Sequence, residues 1–191
     1  MLNVTCNPAQ GAKVLMPQVT QMKECRSPSG YCFYAGDSRA SEQPALAAVH
    51  TVYLREHNRI SEELHRVNPH WDEEKLYQQS RRILNAMNQH VAYSEFLPRL
   101  IGPMRINAYG LGLQSDGYYA SYDPNCPATA YNEFAAAAFR FGHSLIRPHL
   151  ARMDNRYNGM NPHIPLRDGF FNSDMLYKVH IQRFLCAGFE F

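Results

Sequence analysis

The sequence lacks the features that would place the protein in a membrane or on a nucleic acid. Among its 191 residues, no apolar run approaches the length of a membrane-spanning helix. Lysine and arginine number 19 against 17 aspartates and glutamates, so the formal net charge is only +2. No basic run stands out, which argues against nucleic acid as a partner. We therefore expect neither a membrane span nor a nucleic-acid interface.

Targeting and linker signals are also absent. The first residues, MLNVTCNPAQGAKVLMPQ, lack the basic segment and apolar core of a secretory signal. They indicate either a cytosolic protein or a sequence whose natural start lies elsewhere. No internal repeat, low-complexity tract or inter-domain linker is present. A chain of this length can bury one hydrophobic core, so we expect a single domain.

Helical periodicity is present in three segments, and alternating apolar and polar runs are absent. The first helix is predicted over 44–66, where Pro44 suits the first turn. The second is predicted over 72–96, because Asp72 is a good N-terminal cap and Pro98 follows the segment. The third is predicted over 131–150. These patterns predict an all-α fold, mainly helical, with little or no sheet.

The remaining segments are rich in turn residues. Residues 1–35 have no sustained period, which predicts extended or irregular structure. Residues 102–129 carry many glycines and prolines among several tyrosines, which predicts a long loop. Residues 152–170 are also expected to be irregular. Asn172 or Ser173 is a candidate cap for a last helix.

Five consecutive polar residues, 55–59, interrupt the apolar stripe of the first predicted helix. A solvated face with salt bridges to Glu62 and Glu63 would account for them. A buried polar network that holds this helix against a site is the alternative. The sequence leaves both interpretations open.

The segment YNEFAAAAFRFGHSLIRP, residues 131–148, combines high helix propensity with one titratable ring. Arg140 and His143 are three residues apart and therefore share one side of a helix, and Gly142 leaves open space beside the ring. An imidazole in open space can bind haem iron, and a cation one turn away can pair with a haem propionate. A buried structural histidine is the alternative and commoner interpretation. The apolar positions predict a buried face: Phe134, Ala138, Phe141 and Leu145.

The five cysteines are an odd number, so at least one is unpaired within the chain. Cys25 and Cys32 are close enough in sequence to close a short disulfide loop, and two buried free thiols are the alternative. The sequence gives no pairing for Cys6, Cys126 and Cys186.

Three motifs, in this order and spacing, resemble the animal haem peroxidases. They are AGDSRASEQPALAAVHTVYLREHNRI, NPHWDEEKLYQQSRRILNAMNQHVAYSEFLPRLIG and FAAAAFRFGHSLI. The resemblance covers about residues 25–170 and is best over 36–170, whereas 171–191 diverges. The chain is therefore interpreted as one partial peroxidase domain over 1–191, truncated at both ends, with 1–35 as an irregular N-terminal segment.

The resemblance implies roles for four residues. His143 matches the proximal histidine that binds haem iron, and Arg140 matches the arginine beside a haem propionate. Arg39 matches the distal, catalytic arginine, whose cation stabilises the leaving oxygen when peroxide is cleaved. Glu42 matches the glutamate that, in many members, forms an ester with a haem methyl. Arg39 and Glu42 are expected at the start of a helix, on the same side.

The resemblance also implies the chemistry and setting. It implies haem b as cofactor, hydrogen peroxide and a small reducing donor as substrates, and a role in the response to oxidative stress. Members of the family are secreted, and some act in the extracellular matrix. The family places a disulfide at Cys25 and Cys32. Gln43 stands where myeloperoxidase has a methionine bonded to the haem vinyl, so that bond is not expected here.

Parts of the family's site are implied to lie outside this sequence. The distal histidine and the calcium-binding loop match positions upstream of Met1, and the asparagine that accepts the proximal histidine's N–H matches a position downstream of Phe191. Arg39 stays protonated and cannot act as the missing base. Two functions are therefore predicted. One is a haem peroxidase whose isolated chain turns over weakly, and the other is a non-catalytic homologue with an adhesion, matrix or partner-binding role.

Overall fold

A computed structural model describes residues 15–154 and 156–178. The chain divides into two compact units. The first unit contains the residues up to Tyr77 and those from Ser144 onwards, and the second contains 78–143. The interpretation of the whole chain as one domain stays a prediction.

The described residues are mainly helical, as predicted. Two short antiparallel hairpins, β1 with β2 and β3 with β4, accompany the helices. None of the described helices is long and apolar enough to cross a membrane. The elements in chain order are β1 (Gln18–Val19), β2 (Cys32–Phe33), α1 (Pro44–Val67), α2 (Glu73–Val91), a π-helical turn (Ala92–Phe96), α3 (Leu97–Ala108), α4 (Asn132–Ala136), a 3₁₀ helix (Ala138–Leu145), β3 (His149–Met153), β4 (Gly159–Pro165), α5 (Leu166–Gly169) and α6 (Asp174–Lys178).

The observed α1 agrees closely with the first predicted helix. Gln43 is its N-terminal cap, and the side-chain oxygen of Gln43 accepts a hydrogen bond from the Ala45 N–H at 2.8 Å. Pro44 takes the first position, where no N–H is needed. At the other end the Asn68 N–H donates to the Leu64 carbonyl at 2.9 Å, and a proline follows. Local signals at both ends therefore define this helix.

The hydrophobic core of the first unit packs around the start of α1. Alanines on α1 allow close approach of the residues that precede it and of α6. Partly buried side chains, including Leu54 and Met175, extend the cluster. Its buried members are Leu15, Met16, Phe33, Ala40, Ala47, Ala48 and Leu176.

A buried hydrogen-bond network joins three distant segments of the first unit. The Ser173 N–H donates to the Ser27 hydroxyl at 2.7 Å, and the Ser173 hydroxyl lies 3.2 Å from the Ser41 hydroxyl. The Ser41 oxygen accepts the Phe33 N–H at 2.9 Å. Because these hydroxyls are buried, each needs its partners, and losing one would leave an unsatisfied polar group. The network fixes the residues just before α1.

Two further polar contacts reinforce that arrangement. The Phe171 N–H donates to the Glu42 carbonyl at 3.1 Å. Ser29 donates both its N–H, at 3.1 Å, and its hydroxyl to the buried Asp174 carboxylate. The segment that follows α5 therefore holds the chain around Glu42 in place.

Gly169 lies directly against the first residue of α1. A methyl group at position 169 would lie 2.7 Å from Cδ of Pro44 and 2.9 Å from its Cγ, so the start of α1 would have to move. We expect Gly169→Ala to lower the free energy of unfolding by about 1–3 kcal/mol, the usual cost of overpacking. Urea denaturation measures this change. Gly36→Ala is the matched control, because no heavy atom lies within 4 Å of its added methyl group. Equal stability of the two variants would contradict the contact with Pro44.

Cys25 and Cys32 form a disulfide with their Cα atoms 5.9 Å apart, as the family resemblance implied. The alternative of two free thiols is therefore wrong. Cys126 is exposed and unpaired. Cys6 and Cys186 lie outside the described residues.

Replacing both Cys25 and Cys32 by alanine should lower the free energy of unfolding. The cysteines are separated by 7 positions. In the chain-entropy model, closing a loop of this length lowers the conformational entropy of the unfolded chain and so stabilises the folded state by about 2–3 kcal/mol. Urea denaturation with and without reductant checks this. Reductant should destabilise the parent chain and leave the double variant unchanged. A parent chain insensitive to reductant would show that the disulfide contributes nothing.

Helical structure continues beyond the predicted end of the second helix. The α-helix α2 ends at Val91, the π-helical turn follows over 92–96, and α3 begins at once. Pro98 lies in the first turn of α3, where a missing N–H costs nothing, so it does not end the helical run. The predicted loop over 102–129 is wrong as far as Ala108. Gly102, at φ 78° and ψ 158°, interrupts α3.

The third predicted helix, 131–150, is wrong in extent. Only α4 is α-helical, Ala137 leaves the helical region at φ −131° and ψ −67°, and a 3₁₀ helix follows. High alanine propensity does not sustain a helix by itself, because most helix stability in proteins comes from burying one face. The face predicted to be buried is exposed in the described structure: Phe134, Ala138, Phe141 and Leu145.

The segment predicted as irregular after residue 152 contains strand β4. It pairs with β3, so that the buried Leu150 faces Ile164. An irregularity between Leu150 and Arg152 breaks the alternation of the strand. The helix predicted after Ser173 is present as α6, and its continuation lies outside the described residues.

The polar residues in the middle of α1 divide between the two interpretations. Arg59 forms a two-point ion pair with Glu56, at 2.8 and 2.7 Å, rather than with the glutamates further along the helix. Arg59 is largely exposed. His57 is only 3 % exposed, packs against the Tyr77 ring, and its Nε2 has no hydrogen-bond partner within the described ranges. The interpretation as a solvated face therefore holds for Arg59. His57, in contrast, is buried, as the alternative interpretation requires.

Candidate functional site

His143 is exposed, and one ring nitrogen is fixed by its own backbone. Its Nδ1 lies 2.8 Å from the Arg140 carbonyl oxygen. Because a carbonyl can only accept, Nδ1 of the neutral ring carries the proton and Nε2 keeps its lone pair. A hydrogen bond of this kind sets the tautomer of a metal-bound imidazole and orients its ring. The geometry leaves Nε2 as a ready ligand.

The backbone beside His143 is open, as the sequence predicted. No heavy atom lies within 4 Å of the position that a side chain on Gly142 would take, apart from the immediate chain neighbours. A flat group can therefore approach the ring without displacing a side chain of the described structure. The residues around His143 thus fit a haem.

Arg140 shares the 3₁₀ helix with His143. A separation of three residues places two side chains directly above one another in such a helix, so the predicted one-sided arrangement survives the change of helix type. Nε of Arg140 donates to the Ala135 carbonyl at 3.1 Å and so satisfies a carbonyl at the end of α4. The Nη groups make no hydrogen bond to the described residues. They are available to pair with a carboxylate.

Arg39 and Glu42 lie in a turn immediately before α1, at the start of the first predicted helix. The Glu42 N–H donates to the Arg39 carbonyl at 2.8 Å. The Arg39 guanidinium binds the Asp37 carboxylate at two points, through Nε at 3.0 Å and Nη2 at 2.7 Å. This hydrogen-bonded pair holds the pKa of Asp37 well below its usual range and raises the pKa of Arg39. Both groups are therefore charged at neutral pH.

Asp37 was not predicted as a site residue from the sequence. The signal was present, because an aspartate two positions before an arginine can bind both its backbone and its side chain. The Arg39 N–H also donates to Asp37, at 2.7 Å. Nη1 of Arg39 makes no hydrogen bond to the described residues, so the guanidinium keeps one donor group for another ligand.

The four predicted site residues fall into two pairs, one in each compact unit. Arg39 and Glu42 belong to the first unit, and Arg140 and His143 belong to the second. Within each pair the residues are neighbours along a turn or helix. The family resemblance implies that the two pairs converge on one haem pocket, and this stays a prediction.

The described ranges contain no cluster of three or more histidine, cysteine, aspartate or glutamate side chains placed to hold a metal ion. No calcium site is therefore identified within them. Iron carried by a haem needs far less from the protein, because the porphyrin supplies four ligands and one imidazole completes the protein's share. A single histidine in open space is consistent with that requirement.

Comparison with known proteins supports the family resemblance. The model of the family "Animal haem peroxidase" matches residues 1–189. Human myeloperoxidase is 46 % identical over 144 residues, which are 74 % of this chain and 18 % of that protein. The human peroxidasin homolog is 44 % identical over 142 residues, 74 % of this chain and 9 % of its own length. Peroxidase A from Dictyostelium discoideum has a similar structure, with a TM-score of 0.75 at 28 % identity over 93 % of this chain and 32 % of its own.

The chain thus resembles peroxidases in sequence and in structure. It belongs to the animal haem peroxidase family. The chain spans less than a third of each of these relatives.

Proposed function

We propose that this chain is the part of a haem peroxidase that binds the iron of haem b through Nε2 of His143. The observation that carries the proposal is the hydrogen bond from Nδ1 to the Arg140 carbonyl, which frees Nε2 and orients the ring. When bound, the haem supplies the redox chemistry that reduces hydrogen peroxide and oxidises a small donor. The protein supplies the iron ligand, the charged side chains around the haem, and the route by which peroxide and the donor reach it.

The other site residues act by binding and by charge. The Nη groups of Arg140 pair with a haem propionate. Glu42 would form the ester with a haem methyl that the family resemblance implies. Arg39 stabilises negative charge on the leaving oxygen of peroxide, and its pairing with Asp37 keeps the guanidinium protonated. Because Arg39 cannot accept a proton, proton transfer between the peroxide oxygens requires a group other than Arg39.

We place the protein in an oxidising, extracellular compartment, in the response to oxidative stress. The Cys25–Cys32 disulfide supports this placement, because such bonds form and persist outside the reducing cytosol.

Titration of the purified chain with haem b tests the proposal. We expect saturable binding of one haem per chain, a shifted Soret band, and weak peroxide-dependent oxidation of a chromogenic phenol. His65→Ala is a useful control, since it removes an exposed histidine from α1 and should leave the spectrum unchanged. A soluble chain with no saturable band would overturn the peroxidase proposal. It would favour the non-catalytic homologue with an adhesion, matrix or partner-binding role.

A further inference from the structure

Exposed phenols are concentrated in one part of the second unit, residues 109–131, which we term the tyrosine segment. Every residue from 112 to 141 is exposed. Among the other tyrosines whose side-chain exposure the structure describes, only Tyr34 and Tyr157 reach a similar exposure, 66 % and 70 %. The exposed tyrosines of the segment are Tyr109 (65 %), Tyr118 (97 %), Tyr119 (66 %), Tyr122 (79 %) and Tyr131 (85 %).

The middle of the tyrosine segment is exposed to solvent and lies between two tight turns. In the first, the Asp116 carboxylate accepts the Gly117 N–H at 2.8 Å, and Gly117 has φ 73°. In the second, the Asp123 carboxylate accepts the Asn125 N–H at 2.8 Å. The residues between them, 118–122, have no helix or strand. Their phenol groups make no hydrogen bond or ring contact with the described residues.

We propose that the tyrosine segment is an oxidative cross-linking site that joins two copies of this chain through dityrosine. In the reaction two phenols each lose one electron and one proton, and hydrogen peroxide takes up both electrons and both protons to become two waters. The two phenoxyl radicals form a carbon–carbon bond between ring positions ortho to oxygen. Each ring then moves its displaced ortho hydrogen to oxygen, which restores both phenols.

The arrangement of the segment favours coupling there over coupling at isolated exposed tyrosines. A carbon–carbon bond forms only when two radicals meet with their ring edges accessible. Several phenols within one short exposed stretch raise the effective concentration of partners at each encounter. Tyr34 and Tyr157, in contrast, are each the only strongly exposed phenol in their part of the sequence.

A second copy of this chain is the partner that the observations favour. It carries the same segment, so both phenols are present at every encounter. The formal net charge of +2 is small, so repulsion between copies is weak at physiological salt. The reaction requires a peroxidase and peroxide, and it does not require that this chain be the active enzyme.

The exposed thiol of Cys126 lies within the same segment. A thiol can return a hydrogen atom to a phenoxyl radical, and it can also form an intermolecular disulfide. Cys126→Ser therefore provides the background in which cross-linking is measured, and reducing gels remove any dimers formed through other cysteines.

The experiment treats the Cys126→Ser chain with a purified plant haem peroxidase and hydrogen peroxide. We expect a covalent dimer on reducing denaturing gels, with dityrosine fluorescence, and with cross-linked peptides that map to 109–131. The combined replacements Tyr118→Phe, Tyr119→Phe and Tyr122→Phe should remove most of the dimer. Tyr34→Phe with Tyr157→Phe is the control matched for exposure, and it should remove little.

Three outcomes would overturn the proposal. They are a dimer that persists in the triple variant with cross-links outside residues 109–131, cross-links that map to Tyr34 or Tyr157, and dityrosine found only within monomers. Because phenylalanine keeps the ring, each variant should fold as the parent chain does. Circular dichroism checks that its helical content is unchanged. Because the oxidant is a separate enzyme, failure here is distinguishable from failure of the chain to bind haem.

Discussion

Replacing His143 by alanine is expected to abolish imidazole ligation of haem by this chain. The replacement removes the proposed iron ligand itself, so the loss should exceed the roughly 10- to 100-fold in affinity that follows removal of a hydrogen-bond partner of a metal-bound histidine. A haem titration followed through the Soret band measures it. The parent chain should saturate, and His143→Ala should give the spectrum of free or loosely bound haem.

Two controls separate ligation from folding in that experiment. Added free imidazole should restore a ligated spectrum in His143→Ala, because removing the side chain leaves space beside Gly142. His65→Ala should bind haem as the parent does. If His143→Ala keeps the parent spectrum, another residue is the ligand.

Replacing Arg39 by alanine is expected to slow peroxide-dependent oxidation and to leave haem binding intact. In the proposed function the guanidinium acts on charge that develops while the oxygen–oxygen bond breaks, so its loss should raise the barrier rather than weaken cofactor binding. Removing one such preorganised donor costs about 100- to 1000-fold in rate. Initial rates with a chromogenic phenol, measured over a range of peroxide concentrations, give the ratio of variant to parent.

Arg59→Ala is the matched control for Arg39→Ala. Each arginine is exposed and holds a nearby carboxylate at two points, Asp37 for Arg39 and Glu56 for Arg59. Only Arg39 is proposed to meet peroxide, so Arg59→Ala should keep the parent rate. Equal rates for the parent and Arg39→Ala, with the Soret band unchanged in both, would remove Arg39 from the mechanism.

The helices that could be predicted from the sequence are those whose signals agree at every level. For α1 the apolar period, the first-turn Pro44 and the proline after Asn68 all indicate the same limits. The segment after Tyr131 has propensity alone, and the structure replaces most of the predicted helix by a 3₁₀ helix and strand β3. Pro98 shows a different source of error, because the same residue type ends one helix and begins another.

The sequence names candidate site residues but does not predict their local geometry. The family motifs name His143, Arg140, Arg39 and Glu42 by position. They do not show that the Arg140 carbonyl holds the imidazole or that Asp37 holds Arg39, because both contacts depend on backbone conformation in a 3₁₀ helix and a turn. A turn has no hydrophobic period, and a short 3₁₀ helix shares its three-residue spacing with an α-helix, so periodicity does not separate the two.

The hydrogen bonds that join Ser27 and Ser29 to Ser173 and Asp174 have a consequence for the order of folding. Their partners are 146 and 145 positions apart in sequence, and the whole second unit is synthesised between them. Contacts of such long range form late, whereas the helices of the second unit depend on local contacts and form early. At ordinary rates of synthesis, on the order of ten seconds pass between the synthesis of α1 and the synthesis of α6, which completes the core around α1. During that interval the start of α1 is exposed to chaperones and proteases.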